Sequence, residues 1–167
     1  APAIQYEEAI KLQNSGKYEK AIDKFESLGD YRDSKEHIWE CYISIGDRHY
    51  KNGEYEQAIK TYNTAMKLKE SDRIQTKIRK CYIGIGDRYY ENNEFENAIA
   101  SYQTAMQMKD TDALQEKINK AKLSVQTNRS GRNISGRTNV DKVPWDPGNL
   151  RYILCMARQN HCQYSRR

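Results

Sequence analysis

The residue types that most often act as nucleophiles, proton-transfer groups or metal ligands are few in this chain. The histidines and cysteines are His37, Cys41, His49, Cys81, Cys155, His161 and Cys162. Cys155, His161 and Cys162 could supply three ligands to a zinc ion, but a structural zinc site takes four. His49 has a tyrosine at the matching position forty residues later, which argues against a shared catalytic role. We therefore predict no metal site.

Motifs that carry known reactions are also missing from the sequence. It contains no glycine-rich phosphate loop, no nucleophile elbow and no Cys-x-x-Cys pair. A function has to be argued from a site, and these residues offer none that could catalyse a reaction. We predict that the protein is not an enzyme, has no catalytic residues and binds no cofactor.

The composition favours a thin helical array over a thick globular core. Charged residues make up 31% of the 167 residues and hydrophobic residues 37%, with 13 tyrosines against 2 phenylalanines. Tyrosine suits a two-layer array because its ring can pack while its hydroxyl reaches solvent. The low counts of proline (3) and glycine (9) argue against a sheet-rich fold with many tight turns.

The elements that would position a site come from an internal repeat. Residues 41–80 align without a gap on residues 81–120, with 23 identities in 40 positions. A third and more divergent copy lies upstream, where residues 17–22 match residues 54–59 at an offset of 37. Cys41 and Cys81 fall at equivalent positions of the two close copies, so we interpret them as small, buried packing residues.

Within each copy the apolar residues recur at helical spacing. One stripe consists of Tyr55, Ala58, Ile59, Tyr62, Ala65 and Met66. Asn52-Gly53 and Asn92-Asn93 supply residues that tolerate the left-handed backbone at the end of a helix. Each copy is therefore predicted to be a helix–turn–helix unit.

The order of residues in each unit resembles a known repeat family. Gly-x-x-x-Tyr, then Gly or Asn, then Tyr/Phe-x-x-Ala-Ile-x-x-Tyr-x-x-Ala resembles the tetratricopeptide repeat. The repeat here has 40 residues, about six more than the usual 34. We expect the extra residues to lengthen the first helix of the next unit, to about Asp72–Glu91. The segment 28–34, followed by Cys41-Tyr42, also resembles repeat proteins common in Firmicutes-type bacteria.

The resemblance implies an all-α fold. We expect a right-handed superhelical stack of about three helix–turn–helix units, followed by a C-terminal capping helix. The predicted domain covers residues 1–126, with repeats at about 2–32, 33–71 and 72–110 and the capping helix at 111–126.

The resemblance also implies that the first helices line an inner groove that holds a protein or peptide. The predicted groove residues are Ile43, Asp47, Tyr50, Lys51, Ile83, Asp87, Tyr90 and Glu91. The corresponding positions of the first copy are Tyr6, Ile10, Gln13 and Asn14. Some family members clamp a C-terminal carboxylate with Lys and Asn at these positions, whereas Ile and Asp stand here, so we predict a ligand with Lys or Arg. Asp47-Arg48 and Asp87-Arg88 could grip that ligand or form a salt-bridge ladder within the stack.

The residues after the repeats differ in composition. Residues 124–167 carry a net charge of +6, whereas the first 123 residues carry −1. We predict a flexible linker at 127–146 and a basic tail at 147–167 with a short amphipathic helix. The tail could cap the stack, bind nucleic acid or another acidic surface, or have no evolved role. A further alternative is that the whole chain is a structural spacer or assembly module of a larger protein.

The sequence predicts a protein without a membrane span, because no apolar run approaches the roughly 20 residues that a bilayer requires. We expect a cytoplasmic location. The chain begins with Ala1 and not with Met, so a removed upstream signal or anchor remains an alternative. The oligomeric state stays open, with dimerisation through the face of the first helix as one alternative.

Overall fold

The computed structural model describes residues 1–135, and these form seven helices without a strand. The helices are α1 (Pro2–Asn14), α2 (Tyr18–Leu28), α3 (Ser34–Lys51), α4 (Tyr55–Leu68), α5 (Asp72–Glu91), α6 (Phe95–Met108) and α7 (Asp112–Ser135). The predicted all-α repeat fold is confirmed. The predicted tail helix and the three candidate ligands from Cys155 to Cys162 lie outside the described residues.

Each helix from α1 to α5 packs against the helix that follows it in the chain. Residues 1–128 form one unit, and its core divides into three apolar clusters. The first cluster joins α1, α2 and α3, and the second joins α3, α4 and α5. The third places Leu114 and Ile118 of α7 against α6, and both side chains are at most 2% exposed. Each cluster thus joins a helical pair to the first helix of the next.

The turns between paired helices depend on residues that accept a positive φ. Gly53 has φ +76° after α3, and Asn93 has φ +63° after α5. These are the two turns that the sequence predicted. Short residues also let the paired helices approach, because a Cβ added at Gly46 would lie 2.4 Å from the Tyr62 ring. Gly86 meets the Tyr102 ring in the same way.

The extra length of the repeat lies where it was predicted. Helix α5 covers Asp72–Glu91, and Ser71 stands at its N-cap position. Cys41 and Cys81 are fully buried, and burial raises the pKa of each thiol to about 12. Their predicted role as packing residues is confirmed.

Helix α7 is longer than predicted. We expected it to end near Gln126 and a flexible linker to begin at residue 127, but the helix continues to Ser135. The prediction of a linker is therefore wrong for residues 127–135. In a helix interior Asn and Ser cost up to about 0.7 kcal/mol each, and Gly131 costs about 1 kcal/mol. A helix already nucleated by buried residues can therefore extend through them at small cost.

None of the helices within residues 1–135 combines the length and the apolar character needed to cross a bilayer.

Candidate functional site

Two cavities lie along the first helices of the repeats. One measures about 400 Å³ and is lined by Gln13, Asn14, Tyr18, Glu40, Ile43, Ser44, Asp47 and Arg73. The other measures about 270 Å³ and is lined by Asp87, Tyr90, Glu91, Tyr102, Lys117 and Lys120. Five of the eight predicted groove residues therefore border a cavity. Tyr50, Lys51 and Ile83 border neither.

The two predicted isoleucines are mainly packing residues. Ile43 is 4% exposed and belongs to the second cluster, so it presents only an edge to its cavity. Ile83 is half-buried and packs against the third cluster. The place of both isoleucines in the groove therefore stays a prediction, and Ile43 has little free apolar surface to offer a ligand. Because the neighbouring α4 approaches closely, this side of α3 is covered.

Asp47 is held inside the stack by two other helices. The Tyr62 hydroxyl of α4 donates a hydrogen bond to Asp47 Oδ1 over 2.5 Å. Lys77 Nζ of α5 donates to the same oxygen over 2.6 Å, and it lies 5.9 Å from the centroid of the Tyr62 ring. Burial, followed by the hydrogen bond to Asp47, raises the pKa of Tyr62 well above its usual range. We call Asp47, Tyr62 and Lys77 the first triad.

The same arrangement recurs forty residues later. Asp87 Oδ1 accepts hydrogen bonds from the Tyr102 hydroxyl at 2.7 Å and from Lys117 Nζ at 2.6 Å. Burial, and then the bond to Asp87, raises the pKa of Tyr102 above its usual range. Asp87, Tyr102 and Lys117 form the second triad. Each triad ties a helical pair to the first helix of the next pair.

The neighbouring arginines point to the preceding repeat. Arg48 of α3 pairs with Glu19 of α2, and Arg88 of α5 pairs with Glu56 of α4. Both arginines therefore contact helices of the stack itself. Of the two interpretations of the Asp-Arg pairs, these contacts favour a ladder that joins neighbouring repeats.

The two predicted tyrosines differ in their surroundings. Tyr90 contacts Ser124 Oγ through its hydroxyl at 3.3 Å, and Lys120 Nζ lies 5.1 Å from its ring centroid. Tyr50 is 37% exposed, and no side chain among residues 1–130 bonds to its hydroxyl. The position that would match Ser124 is Gly84, which has no hydroxyl to offer. Tyr50 is therefore the more available aromatic contact.

Sequence reasoning missed the triads, although it singled out their aspartates. The signal was present, because Tyr62 and Lys77 recur with Asp47 at the same offset of forty residues. Polar residues that repeat together on facing helices indicate a contact between those helices. Within residues 1–135 no group of three or more His, Cys, Asp or Glu side chains could hold a metal ion.

Comparison with protein families finds the same repeat. Residues 40–72 and 80–112 match the family model of the tetratricopeptide repeat. The chain carries tetratricopeptide-like repeats. The matched segments begin inside α3 and α5, so the N-terminal turns of both helices precede them. Repeats of this kind generally mediate protein–protein interaction or scaffolding. The comparison with curated proteins found no match.

Proposed function

We propose that this repeat protein is a non-catalytic scaffold that holds a protein or peptide along the inner faces of α1, α3 and α5. The main support for this proposal is the cavity of about 400 Å³, to which these three helices contribute Gln13, Glu40 and Arg73. A peptide lying across successive first helices would contact polar groups from each of them. Such a surface fits an extended or helical segment.

The charge of the groove favours a ligand with both signs. The prediction of a basic ligand rested on Asp47 and Asp87, but a lysine already pairs with each carboxylate. Arg73 and Glu40 line one cavity, and Lys120 and Glu91 line the other. We therefore propose a ligand that presents Lys or Arg together with Asp or Glu. Tyr50 borders neither cavity, but it lies about one helical turn beyond the cavity residue Asp47 on α3 and is 37% exposed. We propose that it supplies an aromatic contact of the kind that often dominates binding energy.

A capture experiment with the full chain tests the groove. Partners are recovered from an extract of the source cell, with the wild type and the variants Tyr50→Ala and Arg73→Glu as immobilised baits. Ile4→Ala is the matched control, because Ile4 is 62% exposed, is not a predicted groove residue and lies more than two helical turns from the nearest cavity residue of α1, Gln13. We expect both groove variants to lose a partner that the wild type and the control retain. Equal recovery by all four baits would sink the assignment of the groove.

Nucleic-acid binding through residues 147–167 and a role as a spacer in a larger protein stay predictions. A bacterial origin and a cytoplasmic location also stay predictions.

A further inference from the structure

A second surface lies on another face of α3, between α2 and the C-terminal end of α4. Its cavity measures about 460 Å³. We call it the Trp39 cleft, after the residue at its base. Its lining residues include Trp39 and Tyr42 of α3, Leu68 and Lys69 at the end of α4, and Glu26 of α2. None of these five residues borders either groove cavity.

The base of the Trp39 cleft is apolar and its edge is charged. Trp39 is 9% exposed, whereas Leu68 beside it is 54% exposed. Lys69 Nζ lies 4.7 Å from the centroid of the Trp39 ring, and it donates to Glu36 Oε1 at 2.8 Å. An apolar base inside a polar rim is the usual anatomy of a protein-binding hot spot.

Packing alone does not explain the tryptophan. The buried Trp39 Nε1–H has no hydrogen-bond acceptor among the described residues. A buried donor without an acceptor costs roughly 1–3 kcal/mol, so a phenylalanine here would avoid that cost. Trp39 therefore stabilises the fold less than an apolar side chain of similar volume would.

The next repeat contains the same notch without the apolar base. A cavity of about 260 Å³ is lined by Asp72, Gln75, Thr76, Arg79, Met108 and Lys109. Arg79, Met108 and Lys109 are the residues forty positions after Trp39, Leu68 and Lys69. Since Arg79 replaces Trp39 in an equally formed repeat, the fold does not require an apolar side chain at this position.

The charges around the two notches also differ. The Trp39 cleft is lined by two lysines, Lys35 and Lys69, as well as by Glu26 and Glu36. Lys35 pairs with Asp30 and Lys69 with Glu36.

Glu26, like Asp23 one turn away on α2, has no ion-pair partner among the described residues. Burial, and next the charges of Glu26 and Asp23, raise the pKa of the cleft residue Tyr42. The matching residues on α4 are Asn63 and Lys60. The Trp39 cleft thus combines an apolar base with one lining carboxylate, Glu26, that has no ion-pair partner among the described residues, whereas its counterpart lacks the apolar base and has no carboxylate in the place of Glu26.

We propose that the Trp39 cleft docks a basic amphipathic segment of a protein partner. An apolar side chain of that segment packs against Trp39 and Leu68, and a neighbouring Lys or Arg faces Glu26. The uncompensated carboxylates select a basic partner, because an acidic one would meet like charge. This surface is separate from the inner groove, so the chain can hold two partner segments at once.

Isothermal titration calorimetry on the full chain tests the proposal with two synthetic helical peptides. Both carry the same stripe of leucines at helical spacing, and one has lysines beside the stripe where the other has glutamates. We expect the lysine peptide to bind about tenfold more tightly than the glutamate peptide. Equal affinities would overturn the assignment of a basic partner.

Matched variants place the lysine peptide on the molecule. Leu68→Asp should weaken binding about tenfold, whereas Met108→Asp in the counterpart notch should leave it unchanged. Glu26→Lys should weaken binding of the lysine peptide and strengthen binding of the glutamate peptide. Glu26, Leu68 and Met108 are all exposed, so we expect these variants to fold.

Other occupants give different results. If Tyr50→Ala abolishes binding and Leu68→Asp does not, the peptide lies in the inner groove and the proposal is wrong. Sedimentation velocity measures whether the chain forms a dimer, in which a second copy would occupy the Trp39 cleft. A dimer that Leu68→Asp dissociates would replace the basic segment with a second copy and would overturn the proposal.

Discussion

We call the contact between a helical pair and the first helix that follows it a junction. The first junction, of α1 and α2 with α3, is held by different side chains from the two junctions that follow. The positions of the first triad correspond in the first repeat to Ile10, Phe25 and His37. His37 stacks on Phe25 with ring centroids 5.0 Å apart and an interplanar angle of 8°. The polar contact of the first junction is made by the Tyr6 hydroxyl, which donates to Asp33 and also lies 3.1 Å from His37 Nε2. An aromatic stack thus replaces the Asp–Tyr–Lys contact.

This difference teaches what the triads contribute beyond burial. An aromatic stack joins the first two repeats, so a triad is not needed to make such a junction. A half-buried carboxylate must instead find its partners at fixed positions, or it loses the interactions that offset its desolvation. We propose that the triads specify which lysine of the next helix docks and therefore set the register of the second and third junctions. A hydrophobic junction tolerates small shifts more easily.

The largest expected effect comes from a methyl group at Gly46. A Cβ there would lie 2.4 Å from the ring of Tyr62, which is 1% exposed and tied to Asp47, so the ring cannot easily move. We expect Gly46→Ala to lower the free energy of unfolding by about 3 kcal/mol, measured by urea denaturation. The first junction already carries Ala9 at this position, so Ala9→Gly should cost only about 1 kcal/mol. If Gly46→Ala lowered the free energy of unfolding by less than about 1 kcal/mol, the Tyr62 ring would be able to move away from the added methyl group, and the triad would not hold it in place.

A somewhat smaller effect is expected when the second junction is made to resemble the first. Asp47→Ile copies Ile10 and leaves the buried Tyr62 hydroxyl without an acceptor, so unfolding free energy should fall by about 2 kcal/mol. Adding Tyr62→Phe, which copies Phe25, removes the unsatisfied donor and should restore about 1 kcal/mol. The measurement is a double-mutant cycle by urea denaturation. Strictly additive losses would contradict the coupling within the triad.

Much of the fold could be predicted because its signals are local. Helical spacing and the left-handed turn residues determine helix–turn–helix units. These signals are strong, because the observed bounds of α5, Asp72–Glu91, are the ones that the sequence predicted. The end of α7 was missed because Asn, Ser and Gly also form loops, and local composition cannot tell which state wins. The six extra residues of the first helices could be predicted because the sequence repeats every 40 residues and not every 34.

The candidate site was harder to predict because its contacts join different helices. The periodicity placed Asp47 and Ile43 on one side of α3, but a helix face does not state how closely α4 and α5 approach it. Ile43 is therefore in the core, and Asp47 is bonded to both neighbours. Trp39 went unnoticed because a lone buried tryptophan is normally a packing residue. Only the structure shows that its matching position, Arg79, lines an equivalent notch.

The junctions also differ in how their stability depends on pH at high pH. The first two contain a buried cysteine thiol, and the third does not. The pKa of Cys41 and of Cys81 is raised to about 12, while an exposed thiol in the unfolded chain titrates near pH 9. The unfolded chain therefore binds fewer protons above that pH, and stability falls as pH rises from about 9 towards 12. Ala121 takes the same position in α7.

The variant Cys41→Ala plus Cys81→Ala copies Ala121 and should remove the loss of stability between about pH 9 and pH 10. The tyrosines with a raised pKa, which include Tyr6, Tyr62 and Tyr102, contribute mainly at higher pH, since tyrosine in the unfolded chain titrates near 10. Urea midpoints across this range measure the effect, in a background where Cys155 and Cys162 are alanine. An unchanged slope in the variant would exclude the thiols as its source.

The smallest expected effect concerns the ion pairs beside the triads. Arg48 follows Asp47 directly, yet its side chain is 44% exposed and its partner Glu19 is 59% exposed. Water screens this pair, whereas Asp47 also accepts a hydrogen bond from a fully buried tyrosine. We expect Arg48→Ala to lower the unfolding free energy by less than about 1 kcal/mol, with a smaller loss at high salt. A loss as large as that of Asp47→Ile would mean that the exposed ladder, and not the triads, holds the repeats in register.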